Sequence, residues 1–173
     1  KKNFDIKLGG AYAVDLKAYH GEKIEVAMFS NVYKNLMADY KVKIDDIKNR
    51  IDIDLNRFNE ASEADAKESL VITIFIPVKY IGKIELSVNA GTLNITDIEN
   101  EHIEVNGKIS EVTLQGNKSE IEIDSNLDMQ ISVLSHEGAL EINQLSATSR
   151  LTLPADYRFR STKKGIATHI YYE

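Results

Sequence analysis

Through the second half of the chain, apolar and polar residues alternate in short triplets. Ile84-Glu85-Leu86 is followed by Leu93-Asn94-Ile95, and Ile103-Glu104-Val105 by Val112-Thr113-Leu114. Ile121-Glu122-Ile123 then precedes Ile131-Ser132-Val133, and Leu140-Glu141-Ile142 precedes Leu151-Thr152-Leu153. The first triplet of each pair recurs after 19, 18 and 19 residues, the second after 19, 19 and 20. Strict alternation is the period of a strand with one buried face. A fixed recurrence of this length marks stacked, self-similar units. The outward residue differs between the two triplets: Glu85, Glu104, Glu122 and Glu141 in the first, Asn94, Thr113, Ser132 and Thr152 in the second. An antiparallel meander gives no reason for that difference. A solenoid does, because the first strand of each coil lies on the first strand of the next. The pattern predicts an all-β, single-domain parallel β-helix (β-solenoid) with coils of about 19 residues. An antiparallel β-sandwich is the alternative.

Elsewhere the signals are less regular. Phe4 to Leu8 reads as a strand ended by Gly9-Gly10; Ala13 to Leu16 and Ile24 to Met28 follow, joined by the turn His20-Gly21-Glu22. Val32 to Ala38 suits a loop or one helical turn. Tyr40 to Ile44 and Ile51 to Leu55 alternate cleanly. Asn59 to Ser69 has acidic residues, Ala and Ser but no large apolar residue, so it predicts a solvated loop or short surface helix. Leu70 to Val78 is the strongest strand signal, and Pro77 marks its end or an edge. Asn89-Ala90-Gly91, Asn106-Gly107-Lys108, Gly116-Asn117 and His136-Glu137-Gly138 supply turn residues that tolerate left-handed backbone. The inward columns of residues 83–153 do not by themselves offset the entropy of ordering that backbone. Residues 1–82 therefore belong to the same core, as N-terminal coils with a loop insertion. Residues 83–153 are the regular repeats, and 154–173, with larger apolar residues, form a C-terminal cap.

Composition narrows the function classes. There is no cysteine, so disulfides, thiolate chemistry and cysteine zinc sites are excluded. A net charge of −6 with no basic run argues against nucleic-acid partners. The longest apolar run, Leu70 to Val78, is too short to span a bilayer. The chain opens at Lys1-Lys2 without Met, so the expectation is that an upstream leader or anchor was trimmed. No Gly-x-Ser-x-Gly, His-Glu-x-x-His or phosphate-binding glycine loop occurs, and a non-enzyme without cofactor is expected. The runner-up from another class is a carbohydrate-active β-helix enzyme using carboxylates in a groove.

The chain resembles a bacterial family of putative adhesins, a family of unknown function. The likeness lies in Ile76-Pro77, in Ile84-Glu85-Leu86-Ser87-Val88 leading to Gly91, in apolar-x-apolar repeats near glycines, and in Leu153-Pro154 before Tyr157 and Phe159. It covers roughly residues 10–165 and is one of pattern. It implies a right-handed β-helix, exported or anchored at the cell envelope, that serves as a binding or scaffold module. A cell-surface protein or a glycan is the partner it suggests; an envelope-sensing domain acting through a protein partner is a further alternative.

The sharpest chemical feature is the Glu85, Glu104, Glu122 and Glu141 column. Stacked on one outer face, it is either a solvated face that discourages aggregation or a strip for a cation or a cationic partner. His102 lies beside it, and histidine with carboxylates can take a divalent metal. The Asn94, Thr113, Ser132 and Thr152 column offers hydroxyls to a sugar, or simply good strand propensity. Asn94-Ile95-Thr96 and Asn117-Lys118-Ser119 match the N-glycosylation pattern.

Overall fold

The computed structural model describes residues 2–32, 36–57, 62–155 and 169–172. Strand β1 spans Asn3–Tyr19, β2 Glu25–Phe29, β3 Tyr40–Ile47, β4 Arg50–Arg57 and β5 Val71–Pro77. Strands β6 (Ile84–Thr96) and β7 (His102–Gln115) each contain a whole triplet pair. Shorter strands follow: β8 (Asn117–Lys118), β9 (Glu120–Asp124), β10 (Gln130–Val133), β11 (His136–Glu137), β12 (Leu140–Asn143), β13 (Thr148–Thr152) and β14 (His169–Tyr172). A 3-10 turn covers Leu36–Asp39, and the short helix α1 covers Ser62–Ser69.

The protein is all-β, with a mixed sheet in which parallel pairing dominates. Ile84 pairs with Ile103, Ile103 with Ile121, and Ile121 with Leu140, all in parallel. The second triplets stack likewise: Leu93 on Val112, Val112 on Ile131, Ile131 on Leu151. Among the described residues, antiparallel pairing is confined to β2 on β5 and β3 on β4. The antiparallel sandwich is therefore not the arrangement of the repeat. The sheet forks at both ends. On one side β7 carries β9 along its first half and β10 along its second. On the other, β1 carries β4 along residues 3–7 and β5 along residues 13–19. β1 thus lies between β4 and β5 on one side and β6 on the other, although it comes first in the chain.

The pairing aligns the inward side chains in columns. Ile53, Ile6, Leu86, Val105 and Ile123 are fully buried, as are Ile74, Leu16, Ile95 and Leu114. They join one continuous apolar cluster running from Phe4 to Leu151. Each such side chain contributes roughly 2 kcal/mol by leaving water.

Several local expectations need correction. Gly9-Gly10 does not end the first strand; the register shifts between Lys7 and Gly10, and β1 continues. Leu8 and Gly9 together stand against Val88, which is the count of a bulge, and Gly10 is back in register with Asn89. Asn89-Ala90-Gly91 and Asn106-Gly107-Lys108 are not turns between strands but lie inside β6 and β7. Of those six residues only Gly107 has positive φ, +143°. A Cβ there would stand 1.7 Å from the Val88 carbonyl oxygen, so only glycine lets the two rungs meet. Side-chain amides and hydroxyls fasten other corners. Asn89 accepts from the Lys108 N–H and Asn126 from the Leu145 N–H, each 19 residues on. The short helix expected within residues 59–69, by contrast, is present as α1, which packs on β1 with Ala66 fully buried. The expected cap lies mostly outside the described residues; β14 within it pairs in parallel with β13.

Candidate functional site

The parallel register brings the four glutamates into one row. Glu85 lies opposite Glu104, Glu104 opposite Glu122, and Glu122 opposite Glu141. The row extends further than the repeat implies. Glu85 lies opposite Asp5, Asp5 opposite Asp52, and Asp52 opposite Asp45. Seven carboxylate residues therefore stand in consecutive register on one outer face. Phe4-Asp5-Ile6 and Ile51-Asp52-Ile53 have the same triplet form as the repeat, but nothing local in the sequence says which rungs they join.

A second set of side chains neutralises part of this row. Lys83 Nζ lies 3.1 Å from Glu85 and 2.9 Å from Glu104. Arg50 contacts both oxygens of Asp52, at 2.6 and 3.0 Å, and Lys43 lies 3.3 Å from Asp45. The sequence signal was present: Arg50-Ile51-Asp52, Lys83-Ile84-Glu85 and His102-Ile103-Glu104 all read base-Ile-acid. Neighbouring outward residues of one strand share a face, so the base reaches its own carboxylate or the next rung's. The hydrogen bond from Lys83 holds the Glu104 carboxyl below the usual range and raises the lysine in turn. Glu122 moves the other way. Partial burial, then the charges of Asp124, Glu104 and Glu141, push its pKa up. Asn143 Nδ2 donates to Glu122 at 2.9 Å and to Asp124 at 2.7 Å.

His102 joins the row where β7 meets β9. Its Nδ1 is 3.5 Å from Glu120 and its Nε2 3.6 Å from Glu122. One ligand atom each from His102, Glu104 and Glu122 lies within 4.8 Å of the others. Of the five residues predicted for a cation strip, these three come together; Glu85 is engaged by Lys83, and Glu141 is exposed at the row's end.

The second column also aligns, Asn94 with Thr113, Thr113 with Ser132, Ser132 with Thr152. Asn94 donates to Asp15 at 2.7 Å. Neither glycosylation match is a free surface amide. Asn117 is 1% exposed, accepting from the Ile98 N–H and donating to the Ile95 carbonyl. His136 is buried, and its Nδ1 has no hydrogen-bond partner. The side chain of His169 lies outside the described residues. An open groove of about 640 Å³ borders the acidic face, lined by Asn89, Lys108, Asp124, Asn126, Asn143 and Leu145 among others. No helix among the described residues is long and apolar enough to cross a membrane.

No family model matches the chain, and no curated protein matches it. Among solved structures it is similar to a putative cell adhesion protein from Clostridium sporogenes, at 8% identity and a TM-score of 0.43, over 99% of this chain and 88% of the other. It is also similar to a putative adhesin from Bacteroides fragilis, at 9% identity and a TM-score of 0.29, over 99% of this chain and 90% of the other.

Proposed function

We propose that the chain is a non-catalytic binding or scaffold module of the adhesin type, working outside the cytoplasm through its acidic face. In this reading, residues 1–173 wind as one right-handed β-helix, with 83–153 as the regular coils and 154–173 as the cap. Parallel pairing at 18- and 19-residue offsets supports the winding. Its handedness and its extracytoplasmic place rest on the sequence resemblance.

The row from Asp45 to Glu141 is the observation that carries the function. It is an outer sheet face backed by a buried apolar core, and only partly neutralised by its own lysines and arginine. Such a face favours a cationic segment of a cell-surface protein over a nucleic acid or an anionic glycan. Its carboxylates are spread along a sheet rather than converging across a groove, so they lack the opposed pair that glycoside hydrolysis needs.

The test is retention of purified protein on isolated bacterial envelopes at low and high salt. The wild type should bind at low salt and be released by 0.5 M NaCl, where the Debye length falls to about 4 Å. A variant carrying Asp5→Asn, Glu85→Gln and Glu141→Gln should lose most retention. Equal retention of the variant overturns the role of the face. Release of new reducing ends from envelope polysaccharide overturns the non-catalytic reading in favour of the enzyme.

A further inference from the structure

Where β7 and β9 pair, four outward side chains form a two-by-two grid. His102 lies opposite Glu120 and Glu104 opposite Glu122. The imidazole sits between two carboxylates, Glu120 on its Nδ1 side at 3.5 Å and Glu122 on its Nε2 side at 3.6 Å. Glu104 completes a triangle with His102 and Glu122 whose donor atoms all lie within 4.8 Å of one another. Ligands held at about 2.0–2.1 Å around one tetrahedral ion stand roughly 3.3–3.5 Å apart. Rotation of side chains closes that difference without moving a strand. The backbone beneath is pinned by Ile103, Val105, Ile121 and Ile123, all buried.

The rest of the acidic row is not organised this way. At Asp52 an arginine lies against the carboxylate, and at Glu85 a lysine that it shares with Glu104. Around Glu122, by contrast, three further carboxylates gather, and the basic group they enclose is an imidazole. A row of carboxylates alone would be a solvated face. A histidine with one carboxylate behind it and two in front is a different arrangement. When Glu120 accepts the Nδ1–H, the tautomer is fixed and the Nε2 lone pair faces the space shared by Glu104 and Glu122. Metal-bound histidines are oriented in this manner by a carboxylate on the far nitrogen.

We propose that His102 Nε2, Glu104 and Glu122 bind a divalent transition-metal ion of the zinc type, with Glu120 as the positioning residue behind His102. One imidazole nitrogen and two carboxylates suit zinc or a neighbouring first-row ion. Calcium, which takes six to eight oxygens, is poorly served by this set. The fourth position faces outward and is open to water or to a donor group of another molecule. Lys83 is the built-in competitor, since its ammonium lies 2.9 Å from Glu104. Glu85, 3.1 Å from the same ammonium, retains it when an ion takes Glu104. The site lies within the acidic row proposed above for binding, but that test alters Asp5, Glu85 and Glu141 and leaves His102, Glu104, Glu120 and Glu122 intact, so the two readings fail separately.

The experiment is titration of the metal-stripped chain with Zn²⁺ in a non-chelating buffer, followed by calorimetry and thermal unfolding, with Co²⁺ as a spectroscopic probe. One equivalent of Zn²⁺ should bind and raise the melting temperature, as a ligand specific to the folded state must. Co²⁺ should give the visible absorption of a low-coordinate nitrogen–oxygen site. His102→Ala and Glu122→Gln should each weaken binding at least tenfold, and Glu120→Gln by about tenfold, the scale seen for outer partners of metal-bound histidine. Lys83→Met should tighten it. Far-ultraviolet circular dichroism of each variant establishes that it is folded. The proposal is overturned if Zn²⁺ leaves the melting temperature unchanged, or if His102→Ala binds as the wild type does, since the ion would then sit elsewhere. Equal response to Ca²⁺ and Zn²⁺, insensitive to His102→Ala, would reduce the site to a diffuse counterion atmosphere. An unaffected Glu120→Gln would remove the positioning role.

Discussion

Neutralising Glu122 should stabilise the protein, while neutralising Glu104, directly beside it, should not. Glu122 faces Glu104 and Glu141 across the ladder. At a strand spacing of about 4.8 Å each such pair repels by roughly 0.9 kcal/mol in water. Physiological salt cuts that by about half. Asp124, two residues on, adds to the repulsion. Glu122→Gln removes these contacts yet keeps a carbonyl oxygen for the bond from Asn143. After subtracting lost attraction to His102, the gain should be about 0.5–1 kcal/mol, or about 1–4 °C in melting temperature for a chain of this size. Glu104→Gln relieves two repulsions but gives up the charge-assisted bond from Lys83, so its effect should lie between zero and about −0.5 kcal/mol. Scanning calorimetry with EDTA at pH 7, in 20 mM and 500 mM NaCl, separates the two. The pH dependence supplies a second reading. The raised pKa of Glu122 means that the folded state takes up its proton first, so stability rises as pH falls through that value towards the ordinary carboxylate range. The lowered pKa of Glu104 means that its contribution is lost only as pH falls below that range. Glu122→Gln should abolish the first effect and leave the second. A Glu122→Gln variant less stable than wild type at 20 mM NaCl, or an advantage that does not shrink with salt, would refute the electrostatic account.

Other perturbations address the corners. Gly107→Ala forces a Cβ onto the Val88 carbonyl at positive φ and should cost about 2–4 kcal/mol in urea unfolding, whereas Gly9→Ala, with nothing within 4 Å of the new carbon, should cost less than about 1 kcal/mol. Equal losses would mean that the close approach of the two rungs at Gly107 is not what demands glycine. His136 is held neutral chiefly by burial, against a weak bond to the Ala139 carbonyl, so its folded pKa lies below 6.5. The unfolded chain then binds the extra proton first, and stability should fall as pH drops from 6.5 towards the folded value. His136→Asn, which places at this corner the residue found at Asn117 one rung earlier, should remove that loss in thermal melts between pH 7.5 and 5.5.

The strands and their parallel order were legible because the physics of the triplets is local. Ile84, Ile103 and Ile121 announce their own inward face, and the difference between Glu and Asn, Thr or Ser outward residues announces which strand lies on which. The corners were not legible. Asn89-Ala90-Gly91 has turn composition, yet extended backbone runs through it, because parallel partners on both sides supply the hydrogen bonds. Ala66 docks a helix with no apolar stripe, since a single methyl suffices where the helix meets β1 closely. The glutamate row was readable from the triplets, but Asp5 and Asp52 were not readable as members of it. Their place depends on β1 entering the stack between β4 and β6, which no local pattern encodes. The ion pairs of Lys83 and Arg50 lie one residue outside the triplets, so the alternation that marks the strands carries no sign of them.

The position of β1 has a consequence for the order of events in folding. Phe4 pairs with Ile84 and Ile51, and the backbone of Lys83 meets Asn3 across 80 residues of sequence. β1 is thus among the last of these strands to be completed, since both its edges wait for residues far downstream. Loop closure over such a span costs only slightly more than over a short one in equilibrium stability, but it slows the search. The repeats after Ile84, whose partners lie about 19 residues apart, have much lower contact order. Assembly should therefore nucleate among β6, β7 and β9 and recruit β1 late. Until then the N-terminal strand is an extended apolar segment with two unpaired edges, the state in which a nascent chain most needs a holdase.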